Sequence, residues 1–295
     1  MKFIKKAGFI IALMILSLIV CNEINSGELR KSVGKAIIGK NLVRWNVERY
    51  NIDSAKSEQV FDGVKEDEEA LALVNEVLAL EDVLQMAAGS VLENSKLSQE
   101  LIEKLFYSEL PDSHLQQRIM GISYQENDTI ALEELRYLRV LHMGFDGETH
   151  IGELLVNQSI AEDILEIMSE LYKNAYPIEK MILVDEYDAE DELSMSDNNP
   201  SAFNYRQIAG SSRMSKHSLG LAIDINPKFN PYVKNLENGE IVISPANATE
   251  YADRGKTFAY KIDEHDLCYL LFTEHGFNWG GNWNSVKDYQ HFEMP

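Results

Sequence analysis

The amino-acid sequence predicts an α+β fold, with a small mixed or antiparallel sheet and packed helices. Short apolar stretches typical of strands are interleaved irregularly with amphipathic helical stretches, whereas a doubly wound parallel sheet would need regular alternation. The 295 residues suffice for one large domain or two small ones, and 45% hydrophobic with 25% charged residues is an ordinary globular balance. No internal repeat is visible in the chain.

The elements of the main domain follow from periodicity and end signals. A capping box at residues 159–162 precedes an apolar helical face that ends before Pro177, and Gly276 closes a later helix over 263–275. Two further helices are predicted over 99–107 and 131–140. Strands are predicted over residues 153–157, 181–184, 221–225, 241–243 and 291–294.

The N-terminus has the pattern of a targeting segment. Three lysines precede the apolar run 7–20, which is short for a membrane span but fits the core of a signal peptide. Cys21 follows directly, although Val20 replaces the small residue that a lipid-attachment signal normally has there. A cleaved signal, a lipidated Cys21 and an uncleaved anchor all remain open, and each places the rest of the chain outside the cytoplasm.

The chain is predicted to divide into a leader (1–21), a polar stalk (22–97) and a main domain (98–295). Within the stalk, residues 66–92 have a helical pattern that suits a spacer or a self-associating arm. The net charge of −21 argues against a nucleic-acid partner because such a surface repels phosphates. Cys268 is the one cysteine outside the leader, so no internal disulfide is expected, and its apolar helical context predicts a buried side chain.

Residues 215–226 form the first segment with candidate chemistry. His217 and Asp224 are seven residues apart, so on one unbroken strand they would face opposite sides of a sheet. A turn between them is needed if they share a site, and Gly220 permits one. After that turn, Asp224 shares its strand face with Ala222, which leaves room for an ion and a substrate.

A second segment near the end of the chain supplies the complementary groups. His291 adds an imidazole to His217 and Asp224, and two nitrogens with one carboxylate are typical of a catalytic zinc site that leaves one position for water. Asp288, three residues before His291, is then a spare carboxylate placed to act as general base. The nearby Trp279 and Trp283 could line the cleft or fill the core.

These residues resemble a known family. Residues 215–224 fit the pattern Ser-x-His-x-x-Gly-x-Ala-x-Asp, and the later acidic-x-x-His pattern is at 288–291. This is similar to the signature of zinc D-Ala-D-Ala carboxypeptidases and L-Ala-D-Glu endopeptidases, which include vancomycin-resistance-type D,D-peptidases and phage endolysin peptidases. The resemblance covers about residues 135–295 and implies the hedgehog/DD-peptidase fold, zinc on His217, Asp224 and His291, and Asp288 as catalytic acid/base.

The resemblance also implies a substrate and a further residue. Its members cleave peptidoglycan stem peptides, and they have an arginine upstream of the first ligand that binds the substrate carbonyl or carboxylate. Arg206 resembles that residue, and Arg213 is a second candidate nearer the motif. Many members have Glu at the position of Asp288, and the shorter side chain fits the endolysin-like branch.

Two other classes of protein fit parts of the sequence. Ser-x-x-Lys at 32–35 and Ser-Asp-Asn at 196–198 match parts of serine D,D-peptidases, but Ser32 lies in the polar stalk and Lys256-Thr257-Phe258 does not complete the set. A non-catalytic zinc-containing module would not need Asp288. The sequence therefore predicts a zinc peptidase, foremost a D-alanyl-D-alanine carboxypeptidase, with an L-Ala-D-Glu-type endopeptidase or a cell-wall binding module as alternatives.

Overall fold

A computed structural model describes residues 82–93, 99–208 and 211–295. The leader, Cys21, Ser32 and most of the predicted stalk lie outside these residues. The described residues from 102 onward form one compact unit together with residues 86–93. Among the described residues, no helix is both long enough and apolar enough to cross a membrane.

Residues 82–85 are helical, and from Gln99 onward the described residues form five α-helices and nine strands. The helices are α1 (Gln99–Glu103), α2 (Ser113–Ile119), α3 (Ala161–Lys173), α4 (Asp191–Ser196) and α5 (Leu267–Glu274). The strands are β1 (Tyr107–Glu109), β2 (Leu135–Met143), β3 (Thr149–Asn157), β4 (Ala222–Asp224), β5 (Tyr232–Asn235), β6 (Ile241–Ser244), β7 (Asn278–Trp279), β8 (Lys287–Asp288) and β9 (His291–Glu293).

The strands form three small antiparallel sheets. Their orders are β1-β2-β3, β4-β9-β7 and β6-β5-β8. Helix α3 packs on β2 and contributes Ile164, Ile167 and Met168 to the main core, as the apolar spacing of the sequence requires. This arrangement confirms the predicted α+β class with small antiparallel sheets.

The sheet β4-β9-β7 connects the core to the face that bears the candidate ligands. Ile223 of β4 and Phe292 of β9 are register partners, and both are fully buried in the main core. Phe292 stacks on Phe272 of α5 with ring centroids 4.3 Å apart. Because side chains alternate along a strand, the neighbours of Ile223 and Phe292 point to the opposite face. The core therefore fixes the position of that face.

Several predicted elements are confirmed with modified ends. Strands β4 and β9 lie within 221–225 and 291–294, β6 extends one residue beyond 241–243, and 153–157 is the second half of β3. Helix α5 begins later than predicted because the Asp266 side chain accepts a hydrogen bond from the Cys268 backbone N–H at 2.9 Å and caps the helix there. Gly276 follows with a φ of +87°, and Cys268 is buried as predicted.

Other predicted elements are wrong. Residues 131–140 are not a helix: Leu132–Glu134 form one 3₁₀ turn, and the rest belongs to β2. Nearly every residue of β2 is buried, so an apolar pattern that fits a helix belongs to a strand covered on both faces. Of the predicted helix 99–107, only Gln99–Glu103 is helical (α1), and Tyr107 already belongs to β1.

Two local features near β3 also differ from prediction. Ser159 is not the cap of α3, because Ile160 takes that position and the Ser159 hydroxyl donates to Asn157 Oδ1 at 2.8 Å. Residues 181–183 form no ladder strand, and Val184 begins a 3₁₀ turn. The Leu183 N–H instead donates to the buried Glu153 carboxylate at 3.3 Å, which is a side-chain bond that no periodicity reveals.

Candidate metal centre and active site

His217 is placed by the turn that the sequence predicts. It lies in a 3₁₀ turn, Lys216–Leu219, that begins at Ser215 and ends at Gly220. Gly220 has a φ of +65°, and a Cβ there would lie 2.5 Å from the Asn157 backbone nitrogen. Glycine is therefore required both by the backbone conformation and by the close packing on β3. The turn brings His217 round to the face that bears Asp224.

Asp224 and His291 lie directly opposite each other on β4 and β9. Asp224 Oδ1 is 2.9 Å from His291 Nδ1, and Asp224 Oδ2 is 3.3 Å from His217 Nε2. The two imidazoles are 3.2 Å apart between His217 Nε2 and His291 Nδ1. All three residues are buried, and one possible ligand atom from each lies within 4.8 Å of the others. The structure thus brings together the three predicted metal ligands.

Hydrogen bonds at the far side of each ring determine which nitrogen faces the cluster. His217 Nδ1 is 2.6 Å from the Ala202 carbonyl oxygen, which can only accept, so the ring proton is on Nδ1 and the Nε2 lone pair faces inward. In His291 the two ring nitrogens have the opposite roles: Nε2 is on the outer side, 3.2 Å from Glu293 Oε2, and Nδ1 faces the cluster. Such outer hydrogen bonds are typical of metal-binding histidines.

Electrostatics in the cluster favour a positive charge. Burial alone would raise the pKa of the Asp224 carboxyl, but the charges and hydrogen bonds of His217 and His291 lower it far below its usual range. Burial opposes a charge on His291 as well, yet its bonds to Asp224 and Glu293 outweigh this and raise its pKa. A cation would take the place of the proton on His291 Nδ1, and two nitrogens with one carboxylate oxygen suit zinc. The residues present therefore fit a zinc ion.

Asp288 has an unsatisfied carboxylate close to this cluster. Its Oδ1 is shielded from solvent and has no hydrogen-bond partner. Burial raises the pKa of Asp288 to about 6, the negative charge of Asp224 adds to the rise, and His291 partly offsets it. Gly280 makes room for this segment, since a Cβ there would lie 2.6 Å from the Asp288 carbonyl oxygen. Asp288 is thus a carboxylate whose pKa is close to neutral and which is free to exchange a proton.

The two candidate arginines differ in their surroundings. The Arg206 guanidinium forms an ion pair with Asp191, at the start of α4, and its side chain is 35% exposed. Ser218, next to His217, accepts a hydrogen bond from the Arg206 N–H at 2.9 Å and donates one to the Arg206 carbonyl. Arg213 is exposed and directly precedes Met214, which forms a β-bridge with Gln207. Arg206 is therefore held to the ligand turn through its backbone.

The two tryptophans have separate roles. Trp279 is 5% exposed and belongs to the main core, and its indole N–H donates to the Tyr289 carbonyl at 2.9 Å. Trp283 is half-buried, with its ring centroid 5.3 Å from that of His291. One tryptophan thus fills the core, and the other lies beside the candidate metal centre.

Sequence reasoning missed two carboxylates of the site. Glu293 is the partner of His291, and its position two residues along a strand, hence on the same face, was an available signal. Asp191 is the partner of Arg206, but it is separated from it by a loop, and nothing in the local sequence marks the pair.

Residues 209–294 match the family model for D-alanyl-D-alanine carboxypeptidase. This range includes His217, Asp224, Asp288 and His291, whereas Arg206 lies just upstream of it. No curated protein and no solved structure matches the chain. The family match and the ligand cluster together confirm the resemblance seen in the sequence and support a metallopeptidase of a zinc-dependent family.

Proposed function

We propose that this protein is a zinc-dependent peptidase that hydrolyses peptidoglycan stem peptides, foremost as a D-alanyl-D-alanine carboxypeptidase. One observation carries the proposal: His217, Asp224 and His291 converge within the matched region, beside Asp288, whose Oδ1 has no hydrogen-bond partner. Two imidazoles and one carboxylate leave a fourth position of a tetrahedral zinc ion for water or substrate.

Each residue has a distinct role in the proposed reaction. His217, Asp224 and His291 would hold zinc, which when bound supplies Lewis-acid activation of water and of the scissile carbonyl. Asp288 accepts the proton of the attacking water and returns it to the leaving amine. In the metal-free protein burial raises the pKa of Asp288 to about 6, and a bound cation would favour its ionised form, so the carboxylate is available as a base at neutral pH. Arg206 donates hydrogen bonds to the substrate.

An endopeptidase of the same family is the second candidate, and the surroundings of Arg206 favour it. Asp191 already neutralises the guanidinium of Arg206. A terminal substrate carboxylate would have to displace Asp191 and approach the acidic segment formed by residues 185–192. A neutral peptide carbonyl would need only one hydrogen bond from Arg206. The other acidic residues of this segment are Asp185, Glu186, Asp188, Glu190 and Glu192.

A non-catalytic zinc module is the third alternative, and Asp288 argues against it. A carboxylate oxygen that is shielded from solvent and has no hydrogen-bond partner, such as Asp288 Oδ1, costs folding free energy. A module that only binds cell wall gains nothing from this cost, whereas a peptidase needs a basic group beside the attacking water.

Matched synthetic peptides would test these alternatives. The zinc-loaded full chain would be incubated with a pentapeptide ending in D-Ala-D-Ala, with the same peptide as its C-terminal amide, and with a fragment containing L-Ala-D-Glu. A carboxypeptidase cleaves the acid and spares the amide. An endopeptidase cleaves the L-Ala-D-Glu bond whatever the state of the C-terminus. Tight binding without cleavage of any peptide would overturn the enzyme proposal in favour of a binding module.

We further propose that the enzyme acts outside the cytoplasm, held at the membrane by its N-terminus. The lysines and the apolar run before Cys21 support this, and the polar residues that follow suit a tether. Lipidation predicts palmitate labelling of the wild type and none of Cys21→Ser. An unlabelled protein in the culture medium would instead indicate a cleaved signal.

A further inference from the structure

We propose that Glu293 is a positioning residue that makes His291 bind the metal through Nδ1. This inference rests on the proposed zinc site but not on the reaction that the site performs. Glu293 Oε2 is 3.2 Å from His291 Nε2, on the side of the ring opposite the cluster. Because a carboxylate can only accept, the ring keeps its proton on Nε2 and offers Nδ1 to a cation.

The strand register explains why Glu293 can reach the ring. His291 and Glu293 are two residues apart on β9, so both side chains lie on the same face of the sheet. The partner of Glu293 on β4 is Ala222, whose methyl group leaves the glutamate free to turn back along the strand. On the other side, β7 pairs Asn278 with Glu293. The backbone of Glu293 is therefore fixed between two strands.

The competition for the ring proton shows what Glu293 contributes. His291 Nδ1 faces Asp224 Oδ1 at 2.9 Å and His217 Nε2 at 3.2 Å, which are two acceptors for a proton on Nδ1. Without an acceptor at Nε2, a neutral ring would keep its proton on Nδ1 and could not bind a cation there. Glu293 supplies the acceptor that favours the other tautomer. It has the same relation to His291 as the Ala202 carbonyl has to His217.

Zinc affinity in matched variants would test this role. The full chain and its Glu293→Ala, Glu293→Gln and Asp163→Ala variants would be titrated with zinc against a chromogenic chelator. Asp163 is the control because its Oδ1 holds His275 Nδ1 at 3.0 Å, which is a carboxylate–imidazole pair outside the cluster. Glu293→Ala should weaken zinc binding by about 10- to 100-fold, the usual cost of losing such a partner. Asp163→Ala should match the wild type.

The glutamine variant and the ring protons separate positioning from a general structural effect. In Glu293→Gln, the side-chain amide oxygen would still accept from the His291 Nε2–H. This variant should therefore lose less affinity than Glu293→Ala, by a margin of about threefold or more. In ¹⁵N-histidine spectra of the zinc-loaded wild type, His291 should have a slowly exchanging Nε2 proton, and this proton should exchange faster in Glu293→Ala.

Two results would overturn the proposal. The first is zinc affinity within about twofold of the wild type in Glu293→Ala, or in Glu293→Leu, which also lacks an acceptor, if the alanine variant does not fold. The second is a His291 ring that binds zinc through Nε2. Both measurements use zinc alone, so a failure to cleave any peptide would refute the proposed function and leave this inference standing.

Discussion

Asp288→Asn should make the metal-free protein more stable while abolishing most of its activity. The substitution keeps the shape of the side chain and removes its charge. Asp288 Oδ1 has no hydrogen bond to lose, and the carboxylate lies in the field of the Asp224 charge. An ionised Asp288 therefore opposes folding, and its neutral amide should not.

The size of this effect follows from the pKa of Asp288. The pKa rises from 3.8 in the unfolded chain to about 6 in the folded one, so the folded state binds its proton more tightly. The resulting stability is fully present below pH 3.8 and is lost as the pH rises through 6. Each pKa unit corresponds to about 1.4 kcal/mol. After allowance for the partial exposure of the residue, the folded protein should lose about 2 kcal/mol of unfolding free energy above pH 6.

Urea unfolding of the metal-free wild type and Asp288→Asn at pH 4 and pH 7.5 would measure this effect. The two proteins should be nearly equally stable at pH 4, and the variant should be more stable by about 2 kcal/mol at pH 7.5. With zinc bound, turnover on a cleaved peptide should fall by about a hundredfold or more at unchanged zinc content. Equal stability at both pH values would refute the raised pKa of Asp288, and turnover near that of the wild type would refute its role as base.

Three further predictions concern the ligands, the arginines and a buried histidine. His217→Ala or His291→Ala should lose stoichiometric zinc and all activity, and full zinc in either folded variant would remove that residue from the site. Arg206→Ala should weaken both substrate binding and rate, with exposed Arg213→Ala as an unaffected control; the reverse result would transfer the role to Arg213. Burial lowers the pKa of His142 from 6.5 to about 4, so the unfolded chain binds this proton more tightly than the folded protein does. The neutral ring therefore contributes about 3 kcal/mol to the unfolding free energy at neutral pH, and this contribution is lost as the pH falls from 6.5 through 4. His142→Leu should flatten the dependence of unfolding free energy on pH there, and an unchanged slope would contradict the assignment.

The candidate site was largely predictable because its ligands have strong local signals. The odd separation of His217 and Asp224, with Gly220 between them, required a turn, and the structure has that turn. The pairing of Asp224 with His291 is a register across 67 residues, which periodicity cannot give. The family resemblance supplied it. The Arg206–Asp191 pair was missed because it depends on how a loop and α4 pack.

The fold was less predictable where tertiary burial outweighs local pattern. The apolar spacing of residues 131–140 fits a helix, but β2 lies between β1 and β3 under α3, so both of its faces need apolar side chains. Short strands such as β7 and β8 have too few residues to show any periodicity. Their positions depend on Gly280 and on pairing with distant strands.

The most direct test of the proposed zinc-dependent peptidase activity is digestion of purified muropeptides by the zinc-loaded full chain. The products would be identified by mass spectrometry, and a sample treated with a chelator would serve as the control. We expect a zinc-dependent loss of one terminal D-alanine, or cleavage at L-Ala–D-Glu, with no product after chelation and turnover about a hundredfold or more slower in Asp288→Asn. Intact muropeptides after incubation with enzyme that holds one zinc per chain would contradict it.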